Sequence, residues 1–516
     1  LAGIQAGSSS RGHRFLAPQG FRVPSADWKS FEKLLRRAHV ILRLEERKRI
    51  IRKALQDKYA QKSFDEDLVG LTAQLVEEPY LIQGSFSKDY LELPSEVLAS
   101  CMKKNQKIFA CYDARGKMIS KFVAVLNGKR KNLVGIKAGY EKVLDSRLRD
   151  ARYFFKADTQ EPLENKTPKL QQITYLGKLG TMFDKIHRLE QLAAIFAKAI
   201  GQEAAAEDLK RAAYLSKNDL MTHLVYEFPD LQGIVGREYA RVSGEKENVA
   251  AAIGTQYLPK SLSEDYRELK QEMTPLGAML GLIDRIDLLV GAFGTGLEPT
   301  GSQDPFALRR AAGSFVKIIR AFRFHFSISQ IIEETAGLYG KKIEADRETL
   351  SKKLLAFLTG RVTFELQAEA GSRTQEILKA VFQGSGEDLA DVYERFESLM
   401  ELNESEPEIL MRAAKVVERT FNIIKGATVN HSVNPELLKE SSEKKLFRAF
   451  EEHSKKLETY IQDKNYKKAT AHFGDVFYSP LNEFFEQVMV NVEDPTIRSN
   501  RQALMRDINR LYTKHL

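Results

Sequence analysis

The sequence has very little cysteine: among its 516 residues only Cys101 and Cys111 are present. Two cysteines cannot build a disulfide framework, and no CxxC pair begins a structural zinc site, so the composition fits a reducing compartment. Long hydrophobic runs are also missing. The most apolar stretch, residues 276–293, is interrupted by three charged residues, which leaves no segment apolar enough to cross a bilayer. We therefore expect a cytoplasmic protein with no membrane contact.

The chain carries a small positive net charge. Lys and Arg number 79 against 70 Asp and Glu, a surplus of nine, and the pI is about 9.1. That surplus suits a polyanionic partner but is modest for the length, so the position of the charges matters more than the total. The length predicts three or four domains. The first residue is Leu1, and we expect the natural beginning of the protein to be missing.

The patterns predict a mainly α, multidomain protein with a smaller α+β portion. A helical pattern covers residues 28–59, and two β-prone runs at 108–112 and 119–126 flank turn residues that are typical of a hairpin. Residues 140–401 read as almost wholly helical. The acidic, polar run 402–408 is the best linker candidate before a final helical module.

Two local patterns predict helix boundaries and faces. Asp304 and Pro305 favour a helix start, because Asp caps exposed amides and Pro is tolerated in the first turn; this helix is expected to reach about Phe326. Apolar residues at steps of four, three and four predict one buried stripe further upstream, made of Leu144, Leu148, Ala151 and Phe155.

The first basic cluster lies between residues 128 and 156, where nine cations meet three acids. A local surplus of this kind favours phosphate binding, because each neutralised phosphate releases condensed counterions. Tyr140, Tyr153 and Phe154 could stack on bases. The alternative is a solvated helix face on which Asp145 pairs with Arg149. The cations are Lys129, Arg130, Lys131, Lys137, Lys142, Arg147, Arg149, Arg152 and Lys156.

A second basic cluster follows helical spacing near the carboxyl end. Side chains of this kind can read the exposed edges of unstacked bases, although a merely soluble helix would look the same. A similar strip, with the same ambiguity, is made by Arg506, Arg510 and Lys514. The second cluster consists of Arg412, Lys415, Arg419, Asn422 and Lys425.

Four residues stand where a helical HD phosphohydrolase domain would hold a metal ion: His187, Asn218, Asp219 and Asp284. Such a site needs imidazole and carboxylate ligands. Asn218 takes the place of the second histidine, and a neutral amide is a poor substitute. We therefore expect a degenerate scaffold that holds no metal.

Ten sequence motifs follow one another along the chain. The most specific are RGHRF at 11–15, GSF at 84–86, ELPxEVL at 92–98, a run similar to RLxDARFF at 147–155, the DL…EFPxLQG run at 219–233, PTGSxDPFALRRAA at 299–312, and the closing segment 484–501. In this order they resemble the β subunit of the heterotetrameric bacterial glycyl-tRNA synthetase, and the resemblance covers almost the whole chain. Residue 78 departs from the family, since Glu78 stands where an aromatic residue is usual. The family's first part, which precedes RGHRF, does not occur in this sequence.

The resemblance implies four domains. These are the remainder of an N-terminal tRNA-binding or interface region at 1–75, a small α+β module with the basic helix at 76–165, a degenerate HD-like helical domain and helical body at 166–400, and a helical anticodon-binding domain at 401–516.

The resemblance also implies a function: recognition of tRNA(Gly) within a glycine–tRNA ligase. The α partner of an α2β2 complex would carry the catalytic centre and use ATP and Mg, so no catalytic residue and no cofactor are expected on this chain. A bacterial cytoplasm or an organelle of bacterial descent would be its location. The implied tRNA-binding residues are Lys129, Arg130, Lys131, Arg147, Arg149, Arg152, Arg309, Arg310, Arg412, Lys415, Arg419, Asn422, Lys425, Arg498 and Arg501.

The sequence leaves two alternative functions open. An HD-type, metal-dependent phosphohydrolase acting on RNA would use the four positions named above. A scaffold that assembles the α subunit without binding RNA would need none of the basic residues.

Overall fold

The fold was obtained as a computed structural model, which describes residues 7–59, 64–301, 303–343, 345–370, 375–383 and 386–514, apart from the side chains of residues 58, 369, 370, 375 and 383. The chain divides into two compact units. Unit 1 comprises Leu1–Ile173 and Leu215–Gly254, and unit 2 comprises Thr174–Tyr214 and Thr255–Leu516. Among the described residues, no helix is long and apolar enough to span a bilayer.

Unit 1 contains all five strands of the described chain and eight of its α-helices. The strands are β1 (Ser9–Arg11), β2 (Gly20–Arg22), β3 (Pro79–Ser85), β4 (Phe109–Tyr112) and β5 (Met118–Asn127). The helices, numbered along the chain, are α1 (Trp28–Arg37), α2 (Leu44–Lys53), α3 (Glu66–Leu75), α4 (Ser95–Cys101), α5 (Leu133–Asp158), α8 (His223–Glu227), α9 (Ile234–Val242) and α10 (Glu247–Thr255), with a 3-10 helix at Leu163–Gln172.

The antiparallel sheet β3-β5-β4 forms the centre of unit 1. One face packs on α2 and α3 through buried side chains that include Ile51, Leu68 and Val123. Side chains alternate across a strand, so Phe122 points to the opposite face. There it fills the space over Gly84, where a Cβ atom would lie only 2.2 Å from the Phe122 ring.

Helix α5 packs against this sheet and carries six of the nine cations of the first basic cluster. Leu144, Leu148 and Ala151 are fully buried, as the stripe predicts, whereas Phe155 is only half-buried and packs edge-on against Tyr239, with ring centroids 5.3 Å apart. Because the apolar stripe fixes the rotation of the helix, the basic residues between its members face outward.

The predicted hairpin is confirmed: β4 and β5 pair antiparallel. The single helical pattern over 28–59 is wrong, because α1 ends at Arg37 and α2 begins only at Leu44. His39 has a positive φ of 61°, and the amide of Ile41 donates to the carbonyl oxygen of Glu77 instead of to a helical partner. This hydrogen bond to a distant segment breaks the helix.

Unit 2 is helical throughout its described residues. Its helices are α6 (Met182–Ala199), α7 (Ala206–Leu215), α11 (Tyr266–Glu272), α12 (Pro275–Gly294), α13 (Leu308–Phe322), α14 (Ile328–Tyr339), α15 (Arg347–Ala370), α16 (Gln375–Gln383), α17 (Leu389–Ser405), α18 (Pro407–Ile424), α19 (Ser441–Gln462), α20 (Tyr466–Gln487) and α21 (Pro495–Thr513).

Two groups of helices organise unit 2. Helix α12 is buried on nearly every side and packs on α6, α13 and α14, which explains why its sequence is the most apolar of the chain. The second group is formed by α18, α19, α20 and α21 around an aromatic core that includes Phe473, Phe477 and Phe484. The mainly α fold with a small α+β portion is therefore confirmed. The four domain boundaries and their HD-like and anticodon-binding labels stay predictions.

Two expected boundaries in unit 2 are wrong. Helix α13 begins at Leu308, not at Pro305, and ends at Phe322, before the expected Phe326. Asp304 does cap it, but across a turn in which Ala307 has a positive φ of 53°. The expected linker 402–408 is absent from the described structure, because α17 continues to Ser405 and Pro407 opens α18 in its first turn.

Candidate nucleic-acid interface

Three of the predicted basic residues lie in the loop between β5 and α5. Lys129 and Lys131 are exposed, and the guanidinium carbon of Arg130 lies 4.4 Å from the ring centroid of Phe15. Within the described ranges, no carboxylate lies within ion-pair distance of these three residues. The aromatic ring holds the face of the Arg130 guanidinium, and its N–H edge remains available to an acceptor such as phosphate.

Arg149 forms the ion pair that the alternative interpretation predicts. Its guanidinium donates to the Asp145 carboxylate at 2.6 Å, and the Tyr90 hydroxyl donates to the same carboxylate at 2.8 Å. These two hydrogen bonds, that of Tyr90 above all, lower the pKa of Asp145. The Arg149 side chain is nonetheless 70% exposed, and an exposed pair of this kind contributes only about 0–1 kcal/mol. Arg149 therefore remains accessible to a polyanion.

The next cations along α5 have looser partners. Arg147 lies 3.8 Å from Asp150, while Arg152 and Lys156 lie 3.8 and 3.7 Å from Glu92. All three are at least partly exposed, and none of these distances is that of a strong charge-assisted hydrogen bond. A phosphate group could replace these carboxylates at little cost.

An aromatic surface lies beside the basic face of α5. Phe154 stacks nearly parallel on His223, with centroids 6.0 Å and planes 9° apart, and Tyr153 packs edge-on against Phe154. Tyr226, on the same short helix α8 as His223, is 88% exposed. The buried Asp158 carboxylate fixes the start of α8, since it accepts hydrogen bonds from the backbone and the imidazole of His223.

Sequence reasoning found only half of this aromatic surface. It proposed Tyr153 and Phe154, which are local to the basic cluster, and missed His223 and Tyr226. It also proposed Tyr140, which is half-buried, with its ring centroid 6.5 Å from that of Phe122. Helix α8 has only five residues, too few for a period to be recognised. The one available signal is that an imidazole and a phenol stand three residues apart, which places both on one helical face.

Arg309 and Arg310 lie in the first turn of α13 in unit 2. The Asp304 carboxylate accepts the backbone amides of Leu308 at 2.7 Å and Arg309 at 3.0 Å, so the turn is rigid. The Arg309 guanidinium donates to the carbonyl oxygen of Gly301 at 2.9 Å, and Arg310 is exposed. Among the described residues, neither arginine has a carboxylate within ion-pair distance.

The five predicted residues of the α18 strip fall into two groups, two half-buried arginines and three exposed residues. The Arg412 guanidinium lies 3.4 Å from Asp475, and the Arg419 guanidinium donates to the side-chain oxygen of Asn482 and stacks 4.6 Å from the Phe485 ring centroid. Both arginines thus also bind α20. They are half-buried.

The other three members of the α18 strip are exposed. Lys415, Asn422 and Lys425 point away from the core, and Phe421 beside them is 51% exposed. An amide, two ammonium groups and an aromatic ring therefore share the solvent side of α18. This combination is suited to bases and phosphates of a single-stranded loop.

Arg498 and Arg501 on α21 are placed differently from the other predicted residues. Arg501 is only 8% exposed; it pairs with Glu443, itself fully buried, and donates to the Met489 carbonyl oxygen at 2.7 Å. Arg498 is half-buried and donates to the carbonyl oxygen of Val492. A guanidinium in the position of Arg501 stabilises the fold and is a poor contact for a phosphate group.

Two of the HD-type positions lie in unit 2. His187 on α6 is 2.7 Å from the Glu190 carboxylate and packs edge-on against Phe183. Asp284 on α12 is 3.0 Å from the ammonium of the buried Lys185. A cation therefore already occupies the position that a metal ion would need at Asp284.

The other two HD-type positions lie in unit 1 and are fully buried. The Asn218 amide donates to the Thr167 hydroxyl at 2.7 Å and to the Leu163 carbonyl oxygen at 3.2 Å. Asp219 accepts the backbone amide of Gly233 at 2.6 Å, and burial raises the pKa of its carboxyl to about 6. Throughout the described part of the chain, no group of three or more His, Cys, Asp or Glu could hold a metal ion.

The fold and these surfaces define a class: multidomain, mainly helical proteins that turn cations and aromatic rings outward from rigid helices. Comparison with known proteins is more specific. Residues 1–383 match the family described as glycyl-tRNA synthetase beta subunit, and the chain belongs to that family.

Curated relatives match the chain well beyond residue 383. The glycine–tRNA ligase beta subunits of Moorella thermoacetica, Halothermothrix orenii and Salmonella schwarzengrund are 35%, 33% and 36% identical to it. The alignments cover 98%, 99% and 99% of this chain and 73% of each relative. The resemblance expected from the motifs is therefore confirmed, and the chain takes part in a glycine–tRNA ligase. The phosphohydrolase and scaffold alternatives are not favoured.

Proposed function

We propose that this chain holds tRNA(Gly) so that its aminoacyl-accepting end reaches a catalytic centre on an α subunit, within an α2β2 complex. ATP and Mg would act at that partner as substrate and cofactor. The relatives are bacterial glycine–tRNA ligase subunits, which supports a bacterial cytoplasm, or an organelle of bacterial descent, as the location.

The observation that carries the proposal is the basic face of α5 beside the aromatic surface of α8. Nine cations against three acids in residues 128–156 give the electrostatic attraction for a phosphate backbone. The exposed rings of Tyr153, His223 and Tyr226, with the half-buried Phe154 beside them, add flat surfaces on which unpaired bases can stack.

The proposed contribution to catalysis is positioning. Holding a bound reactant in the productive orientation can lower a reaction barrier by several kcal/mol without any catalytic group being donated. The exposed side of α18, with Lys415, Asn422 and Lys425, would hold a second part of the same RNA, the anticodon loop.

The test is a titration of tRNA(Gly) at several salt concentrations, with and without the α subunit. We expect this chain to bind tRNA alone, with an affinity that falls steeply as salt rises, and to charge tRNA only after α is added. Charging by this chain alone would overturn the proposal. So would strong binding of α combined with no tRNA binding at low salt, which is the outcome that a pure scaffold predicts.

A further inference from the structure

A cavity of about 650 Å³ in unit 2 is not part of the surfaces on α5, α8 and α18 from which the proposed function is argued, although the predicted tRNA-binding residue Arg309 lines it. It opens between α11, α13 and α15 and is lined by residues of all three helices. Lys317 fixes its wall, because the ammonium donates to the carbonyl oxygens of Leu262 and Glu264, both at 2.6 Å. This volume lies in the range of small-molecule sites, about 300–1,000 Å³.

One side of the cavity is aromatic. Phe364 on α15 lines it and is 68% exposed, which is unusual for a phenylalanine in a helix with a buried side. Tyr266 lines it from α11, with the Arg320 guanidinium carbon 3.9 Å from its ring centroid. Leu262 adds an apolar edge. These groups form a surface on which a planar ring can stack.

Two arginines contribute positive charge. Arg309 and Arg361 both line the cavity, and in the described part of the chain neither has a carboxylate within ion-pair distance. The Arg361 guanidinium carbon lies 5.8 Å from the Phe364 ring centroid, and its buried Nε has no hydrogen-bond partner among the described residues. Because that atom is buried, Arg361 acts on a ligand in the cavity through its positive charge.

The acids at the cavity are held by other groups. Asp265 pairs with Arg267 at 2.6 Å, and Glu365 pairs with Arg320 at 3.1 Å. The Glu264 carboxylate accepts the backbone amide of residue 261 at 2.8 Å. Because the two ion pairs cancel their own charges, Arg309 and Arg361 outweigh Glu264 and leave the cavity with a net attraction for an anion.

We propose that this cavity binds one unstacked nucleotide, with its base against Phe364 and its phosphate between Arg309 and Arg361. A nucleotide combines the planar ring, the anion and the size that the three observations require. Two sources share this chemistry: a nucleotide within tRNA, which rests on the proposed function, and a free mononucleotide, which does not.

The experiment compares the full chain with Phe364→Leu, Phe364→Tyr and Arg361→Gln. The matched control is Lys352→Gln, which removes one charge from the same helix at a side chain that is exposed and paired with Glu348. Each protein is titrated with tRNA(Gly) and, separately, with AMP, GMP, CMP and UMP by calorimetry. Thermal melting checks that each variant is folded.

We expect Phe364→Leu to weaken binding fivefold to 100-fold, the range for one stacked base, and Phe364→Tyr to restore it. Arg361→Gln should weaken binding and lower its salt dependence, while Lys352→Gln should match the wild type. Effects on tRNA alone would identify the RNA as the source, and effects on a mononucleotide as well would identify a free nucleotide.

The proposal is overturned if Phe364→Leu and Arg361→Gln bind both kinds of ligand as the control does. The same measurements distinguish a failure of the cavity proposal from a failure of the proposed function. Normal binding of both tRNA and the mononucleotides by both variants, with wild-type tRNA binding intact, removes the cavity site alone. Absence of tRNA binding by the wild type removes the proposed function, and the mononucleotide titrations then decide the cavity by themselves.

Discussion

Helices α5 and α21 both carry arginines at helical spacing, yet they use them in opposite ways. On α5 the arginines are exposed and meet carboxylates that are themselves exposed. On α21 Arg501 pairs with the buried Glu443, and Arg506 donates to the carbonyl oxygens of Val429 and His431 at 2.8 and 3.0 Å. Arginine spacing alone therefore does not identify an RNA-binding helix; the partner and its burial do.

The largest effect is expected from breaking the buried ion pair between Arg501 and Glu443. Arg501→Ala leaves Glu443 buried without its cation, which should cost about 3–5 kcal/mol of unfolding free energy. Arg510→Ala is the matched control, since that side chain is exposed on the same helix, and it should cost less than about 0.5 kcal/mol. Thermal melting followed by circular dichroism measures both. If Arg501→Ala melted like the wild type and instead lost tRNA binding, the distinction between α21 and α5 would be wrong.

A second prediction concerns a buried charge that has no strong cationic partner. Burial raises the pKa of Asp219 to about 6, compared with about 3.9 in an unfolded chain. The folded protein therefore binds this proton more tightly, and stability is lost as pH rises through that interval. Asp219→Asn removes this loss, so its unfolding free energy relative to the wild type should rise by about 2 kcal/mol between pH 4 and pH 7.

The readout for Asp219→Asn can be confined to unit 1, because Trp28, the only tryptophan, lies in α1. Denaturant unfolding followed by its fluorescence at several pH values gives the difference curve. Asp230→Asn, at an exposed position, should give a flat curve. A flat curve for Asp219→Asn as well would show that the buried carboxyl does not titrate in this range.

Sequence reasoning reached the local features of both helices but not their partners. The apolar period of α5 predicted Leu144, Leu148 and Ala151 in the core, because a helix repeats every 3.6 residues regardless of its surroundings. The role of Arg501 depends on Glu443, which is 58 residues away in sequence. The break between α1 and α2 depends likewise on a hydrogen bond from Ile41 to Glu77. Contacts of this kind follow from tertiary structure and leave no periodic signal.

The third prediction concerns the contribution of the exposed Tyr226 ring to tRNA binding. Tyr226→Ala should weaken tRNA(Gly) binding fivefold to 100-fold, because an exposed ring that stacks on one base contributes about 1–3 kcal/mol. Its melting temperature should not change, since 88% of the side chain is already in contact with solvent. Tyr226→Phe keeps the ring and should bind like the wild type. Equal affinities for Tyr226→Ala and Tyr226→Phe would remove α8 from the interface.

The smallest and most specific effect is on salt dependence. Arg147→Ala and Arg152→Ala should each weaken tRNA binding and reduce the slope of log K against log salt by about 0.7–0.9, the contribution of one phosphate. Arg115→Ala, in the exposed turn between β4 and β5, is the control and should leave the slope unchanged. Because the ion pair of Arg147 is exposed and long, Arg147→Ala should not lower the melting temperature by more than a degree or two. Arg152→Ala should lower it somewhat more, since that side chain is half-buried and its guanidinium carbon lies 4.8 Å from the Tyr90 ring centroid. An unchanged slope with a clear loss of melting temperature would place these arginines with those of α21, and the contrast between the two helices would then concern burial alone and not function.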